Sequence, residues 1–180
     1  MSQIYDKAPA REVRAVPTGQ ERSWAAVAHA SSLLTLLLAF PTMGLGGLLT
    51  VWIPLAIYVM YKDKSEYVAF HAAQAFTLQM LGSVGYFIAI LAAILAWGLA
   101  VAVVAMLSII IIGLILIPVL VLLTIALVLA LLAAPFALGG FSLVAAVQTA
   151  GGEDYHYPYV GRWVADWLAR MRNGGAAPAV

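Results

Sequence analysis

Positions 67–152 of this 180-residue chain contain no Asp, Glu, Lys or Arg. Leu, Ile, Val, Ala and Phe fill the run, as in LSIIIIGLILIP at 107–118. A bilayer core asks for about 20 apolar residues per helix, so the run alone is long enough to cross a membrane at least twice. The same feature limits chemistry, because a body almost without ionisable side chains has few groups with which to catalyse anything.

Composition agrees. Hydrophobic residues are 64% of the chain, against roughly half in soluble domains. Charged residues are 9%, against about a quarter. A soluble globular core and extensive disorder are both excluded on that balance. The net charge of +1 suggests no nucleic-acid surface. No cysteine is present, which removes disulfides, thiol nucleophiles and thiolate metal sites.

The pattern predicts an all-α fold: a polytopic integral membrane bundle of four transmembrane helices with a C-terminal amphipathic interfacial helix. Residues 1–20 read as a mobile cytoplasmic tail with mixed charge and prolines. Thr18, Gly19, Gln20 and Glu21 match a capping box before the first apolar run. Residues 21–150 form the transmembrane domain, with spans at about 21–40, 46–61, 67–97 and 114–149. Pro54 falls inside the second span and a kink is expected at Pro135. Residues 98–113 admit several readings, and with them six spans instead of four. Residues 151–180 are a cytoplasmic turn, an amphipathic helix and a tail. No leader cleavage site is visible near Phe40 and Pro41, so the first helix is expected to stay.

Basic residues set the orientation. Lys7, Arg11, Arg14 and Arg22 precede the first helix, Lys62 and Lys64 lie in the one charged loop, and Arg162, Arg170 and Arg172 follow the apolar run. The positive-inside tendency then puts both termini on the cytoplasmic side of a bacterial plasma membrane, with an even number of spans.

Few residues are candidates for a site. His29 and Ser32 in the first helix and His71 and Gln74 in the third form a possible polar interhelical cluster; a histidine inside a span is a functional hypothesis by default, and a packing histidine otherwise. For a metal, two imidazoles need a further ligand, and Asp63 and Glu66 are the carboxylates nearest in sequence, so no metal and no cofactor is expected. Gly85, Ala89, Ala92, Ala93 and Ala96 make a stripe of small residues suited to close helix packing, within the chain or against a partner. Tyr155, Tyr157, Trp163 and Trp167 read as an interfacial anchor, the tryptophans on a helix whose Arg162, Asp166 and Arg170 fall on another face. No nucleophile–base–acid set is visible, so no enzyme activity is expected.

Three islands read together: ERSWAAVAHAS at 21–31, YKDKSEYVAFHAAQAF at 61–76 and GEDYHYPYVGR at 152–162. Their pattern resembles a family of small prokaryotic four-helix membrane proteins related to the twenty-kilodalton inner-envelope subunit of the chloroplast protein-import apparatus. The resemblance covers residues 21–162 and implies a four-helix membrane fold with cytoplasmic ends; the stretch from 76 to 151 is longer than that family usually has. The function expected is a non-catalytic membrane subunit or scaffold, its partners the lipid bilayer and other proteins or copies of itself. A pore or translocation component, as the resemblance implies, is the alternative, and a hydrophobic ligand held between helices a further one.

Overall fold

A computed structural model describes residues 16–39, 42 and 45–172. All regular structure among them is helical: α1 (Gly19–Ala39), α2 (Leu45–Thr50), α3 (Trp52–Tyr61), α4 (Glu66–Ser108), α5 (Ile112–Ala150) and α6 (Val160–Arg172). Of the expected tail, residues 1–20, positions 1–15 lie outside the described residues, as does the chain beyond Arg172, while Gly19 and Gln20 already belong to α1.

Helix starts follow local chemistry. Before α1 the Thr18 amide and hydroxyl both donate to Glu21 Oε2, at 2.7 and 2.9 Å, and the Glu21 amide donates to Thr18 Oγ1 at 3.2 Å. That reciprocal pair is the capping box, and it satisfies amides that lack partners in a first turn. Ser65 caps α4 by accepting from the Val68 amide at 3.3 Å.

Among the described residues two helices, α4 of 43 residues and α5 of 39, are long and apolar enough to cross a membrane. Four were expected. The second expected span is divided at Val51 into a six-residue and a ten-residue piece, each short of the ~20 residues a crossing needs. α1 has the length, yet Arg22, Ser23, His29, Ser31, Ser32 and Thr35 interrupt its apolar run. The third span does not end near Trp97. α4 continues to Ser108, and residues 98–113 resolve as the last turns of α4, a short bend and the start of α5. α5 runs on through Pro118 and Pro135.

The result has two regions. In the base, α1, α2 and α3 pack with the first turns of α4, the last turns of α5, and α6. Ala28, Ile57, Val68, Ala72 and Ala75 form its core, flanked by Trp24, Ile53, Tyr58, Tyr61 and Tyr67. Beyond Gly82, α4 and α5 leave the base as an arm touching little but itself. The Tyr86 hydroxyl donates to the Leu131 carbonyl at 3.0 Å, and Trp97 Nε1 donates to Thr124 Oγ1 at 3.0 Å. At the tip Ile111 adopts φ 70°, a left-handed conformation costly for a β-branched residue. A Cβ on Gly113 would collide with the Val104 carbonyl and with Ser108, so only glycine closes this bend.

α6 runs antiparallel to the start of α4. Gly161 lies against Gln74 at one end, and Arg172 pairs with Glu66 at 2.8 Å at the other. Phe70, Ala73 and Val164 join the two helices, with Val160, Ala165, Trp167 and Leu168 around them.

Candidate functional site: a buried polar chain in the base

The turn between α5 and α6 does not stay at the surface. After Gly151 the chain re-enters the base and returns as α6. Gly152 permits the reversal, at φ 88° and with the Arg22 side chain packed where a Cβ would stand. Gln74 binds the inserted turn from both sides of its amide: Nε2 donates to the Tyr155 carbonyl and Oε1 accepts from the Tyr157 amide, each at 3.1 Å. The Tyr67 hydroxyl reaches the Thr149 and Glu153 carbonyls at 3.2 and 3.0 Å. Fully buried, Gln74 acts as a surrogate backbone unit for a segment without secondary structure of its own.

Along this turn a chain of polar side chains enters the interior. Asp154 Oδ1 lies 3.4 Å from His71 Nε2. His71 Nδ1 is 3.2 Å from His29 Nε2, and His29 Nδ1 is 3.0 Å from the Tyr157 hydroxyl. The Tyr157 hydroxyl is 3.3 Å from Ser142 Oγ on α5. Both imidazoles are wholly buried and Ser142 almost so, while Asp154 is 37% exposed and faces water. A buried polar group without a hydrogen bond is costly, so the hydrogen-bonded part from His71 Nδ1 to Ser142 holds together as a unit, with the Asp154 carboxylate in ion-pair contact at its outer end. Burial, and the second imidazole facing it, keep His29 below the usual histidine range. Burial raises the Tyr157 phenol, and that of Tyr155, so both keep their hydroxyl proton.

Of the expected cluster, the structure brings His29, His71 and Gln74 together. Ser32 points back to its own helix, donating to the His29 carbonyl at 2.7 Å. Instead Ser31 joins a second small network: Gln79 Nε2 donates to Ser31 Oγ at 2.8 Å, and Thr35 meets Thr50 at 2.7 Å. The carboxylate beside the histidines is Asp154, neither Asp63 nor Glu66. Among the described residues no group of three His, Cys, Asp or Glu has metal-holding geometry.

The expected anchor divides. Tyr157 is 3% exposed and buried against His29, so it is not a surface anchor; the inserted turn carries it inward. Tyr155 stacks edge-on against Tyr157, 5.2 Å between centroids. Trp167 rests on Tyr58 at 6.0 Å, whereas Trp163 is exposed. With Leu55, Ala73, Phe76 and Thr77, these two tryptophans and Tyr58 line an apolar groove of about 380 Å³. Gly85, Ala89, Ala92 and Ala96 of the small-residue stripe are exposed on the arm, so they do not serve packing within the chain. The close approach of α4 and α5 falls elsewhere, at Gly82 against Leu138 and at Gly113.

Sequence reasoning missed Asp154, Ser142 and the inward role of Tyr157. For Asp154 and Tyr157 the signal was present in the insertion of histidine and paired tyrosines beside charged residues, GEDYHYPY, a composition poorly suited to a plain surface turn; Ser142 carried none.

Residues 20–164 match the model of a family described as the magnetosome magnetite crystal formation protein family. Among curated proteins and solved structures, none matches. The family match overturns the resemblance to the plastid import subunit. The three islands that carried that likeness are the segments that build the base, so they record how the base is bonded.

Proposed function

The chain belongs to the magnetosome magnetite crystal formation protein family, and from that premise we propose that it is a small, non-catalytic membrane protein of the magnetosome, acting as a helical scaffold for partner proteins or copies of itself. The observation that carries the membrane part is the arm. From 83 to 108 α4 is 26 residues, about 39 Å at 1.5 Å per residue, enough to cross a hydrocarbon core of about 30 Å with tilt. Its most apolar stretch, and that of α5, is free of burial inside the protein. The α4–α5 hairpin therefore crosses the bilayer while the base sits at one face, its rim of Val27, Leu37, Leu49, Trp52 and Val59 sunk into the interface.

Arg22, Lys62, Lys64, Arg162, Arg170 and Arg172 all belong to the base or its loops. The positive-inside tendency places that face, and both termini, in the cytoplasm. Scaffolding is favoured over conduction because the polar side chains gather in the base, while along the arm α4 and α5 meet through Tyr86, Trp97 and Thr124. The test is fractionation of magnetosome-forming cells that carry a tagged chain, with electron microscopy of their crystals. We expect alkali-resistant retention in the magnetosome membrane and altered crystal size or shape when the chain is removed. Recovery in the soluble fraction, or unchanged crystals, overturns the reading.

A second reading, a hydrophobic ligand held between helices, is favoured by the groove under Trp163 and Trp167. Native mass spectrometry tests it: a retained lipid lost on Ala73→Phe supports the groove, and none retained dismisses it.

A further inference from the structure

The scaffold reading leaves the buried polar chain unused. Its two imidazoles face each other through one nitrogen each, His29 Nε2 and His71 Nδ1 at 3.2 Å. A hydrogen bond there needs one proton between the two nitrogens. A neutral imidazole carries one N–H and one bare nitrogen, so the tautomer of each ring fixes the other. With Asp154 ionised, the charge favours the tautomer with the His71 proton on Nε2, 3.4 Å from the carboxylate in an ion-pair contact not aligned as a hydrogen bond, leaving Nδ1 bare to accept from His29 Nε2–H. His29 Nδ1 is then bare and accepts from the Tyr157 hydroxyl. The protons of the His71–His29 and His29–Tyr157 hydrogen bonds then both point toward the Asp154 end.

One added proton also fits. His71 carries it on Nδ1 while keeping Nε2–H against the carboxylate. It then donates to a bare His29 Nε2; His29, now Nδ1–H, donates to the Tyr157 oxygen, and the Tyr157 hydroxyl turns to Ser142 Oγ. Every contact survives, and the inner ones reverse direction. Only N–H and O–H bonds change, and the proton comes from water on the Asp154 side. A second proton does not fit, because two N–H groups would then face each other across 3.2 Å.

We propose that the Asp154–His71–His29–Tyr157–Ser142 chain is a binding site for a single proton, entered at Asp154, whose occupancy reverses the hydrogen bonds tying the 151–159 turn to α1 and α5. The charged and titratable groups around the site are few. The turn supplies Glu153, Asp154, Tyr155, His156, whose Nδ1 lies 3.0 Å from the Asp154 carbonyl, Tyr157 and Tyr159; α4 supplies Tyr67, whose ring lies 4.4 Å from that of His71; α1 supplies Glu21 and Arg22, which together with Asp154 act electrostatically on Tyr67. α5 contributes no charged residue, so Asp154 is the carboxylate in contact with the pair and is the group that stabilises the added charge. Tight coupling makes the uptake a property of the pair.

The experiment is ¹⁵N-histidine NMR of the whole chain in lipid nanodiscs across a pH series, with the exposed His156 as reference. The expected result is uptake of one proton by the pair, with His29 switching tautomer over the same pH interval in which His71 becomes charged. In Asp154→Asn, which keeps the side chain's size and removes its charge, uptake moves to more acid solution by roughly 1–3 pH units, the usual effect of an adjacent opposite charge. Tyr157→Phe, which removes the acceptor for His29 Nδ1–H, moves it the same way. Two histidines that titrate independently and take up two protons overturn the proposal. So does an unchanged curve in Asp154→Asn, or no uptake at any pH at which the protein stays folded.

Discussion

Base and arm share two helices, α4 and α5, and obey opposite rules. In the first turns of α4 every residue from Val68 to Ala75 is buried, the polar His71 and Gln74 as completely as Val68 and Ala72. In the arm of the same helix, Leu95 is 73% and Leu99 68% exposed. The base is held by specific polar contacts in a buried interior, where Gln74, His29 and Tyr157 each meet a named partner. The arm has almost no such contacts, and its stability comes from its own backbone ladder and from the solvent around it, which for an all-apolar hairpin is lipid. A polar substitution is therefore an error of solvent in the arm, and an apolar one an error of bonding in the base.

That contrast gives measurable expectations. Gln74→Leu has the largest effect: it strips partners from the Tyr155 carbonyl and the Tyr157 amide, and at about 1–3 kcal/mol per orphaned buried group the loss is about 2–6 kcal/mol. Thermal unfolding in detergent checks it, and a loss below that of an arm substitution would break the comparison. Leu95→Arg places a charge halfway along the arm, where insertion costs about 2.5–3.5 kcal/mol. Alkaline extraction from native membranes should show the variant released, with the base still folded. A tip that is tightly closed rather than merely floppy predicts that Gly113→Ala costs about 1–3 kcal/mol, the usual range for overpacking; hydrogen exchange should rise at 104–116 and not in the base. Smallest is Leu122→Ala, at 68% exposure: below about 0.5 kcal/mol in detergent, as for an ordinary surface change. A larger loss in native membranes alone would reveal a protein partner on the arm.

The capping box at Thr18 and Glu21, the helical class, the membrane-length apolar run and the amphipathic helix at 160–172 were all legible from local pattern, because each depends on neighbours within a few residues or on composition over a window. The number of long spans was not. Residues 98–113 contain two glycines and an unbroken apolar run, and nothing local says whether they turn or continue. The bend was decided by the fit of Gly113 against Val104 and Ser108. The anchor role of Tyr157 failed for a related reason: an aromatic beside a polar turn satisfies the interface and the interior equally well until a partner is known.

What the sequence determined by itself was composition: that positions 67–152 are apolar and free of charged side chains, and where along the chain the basic residues fall. Tertiary structure alone decided bonding. His29 and His71 are 42 positions apart, and His29 and Tyr157 are 128 apart, so no window of sequence contains the contact. It arises because α4 and α5 return their ends to one place and the 151–159 turn folds inward on Gln74. Hydrophobic burial is read from composition since it is non-directional; a hydrogen bond is directional and short, and its partner exists only once the chain has closed.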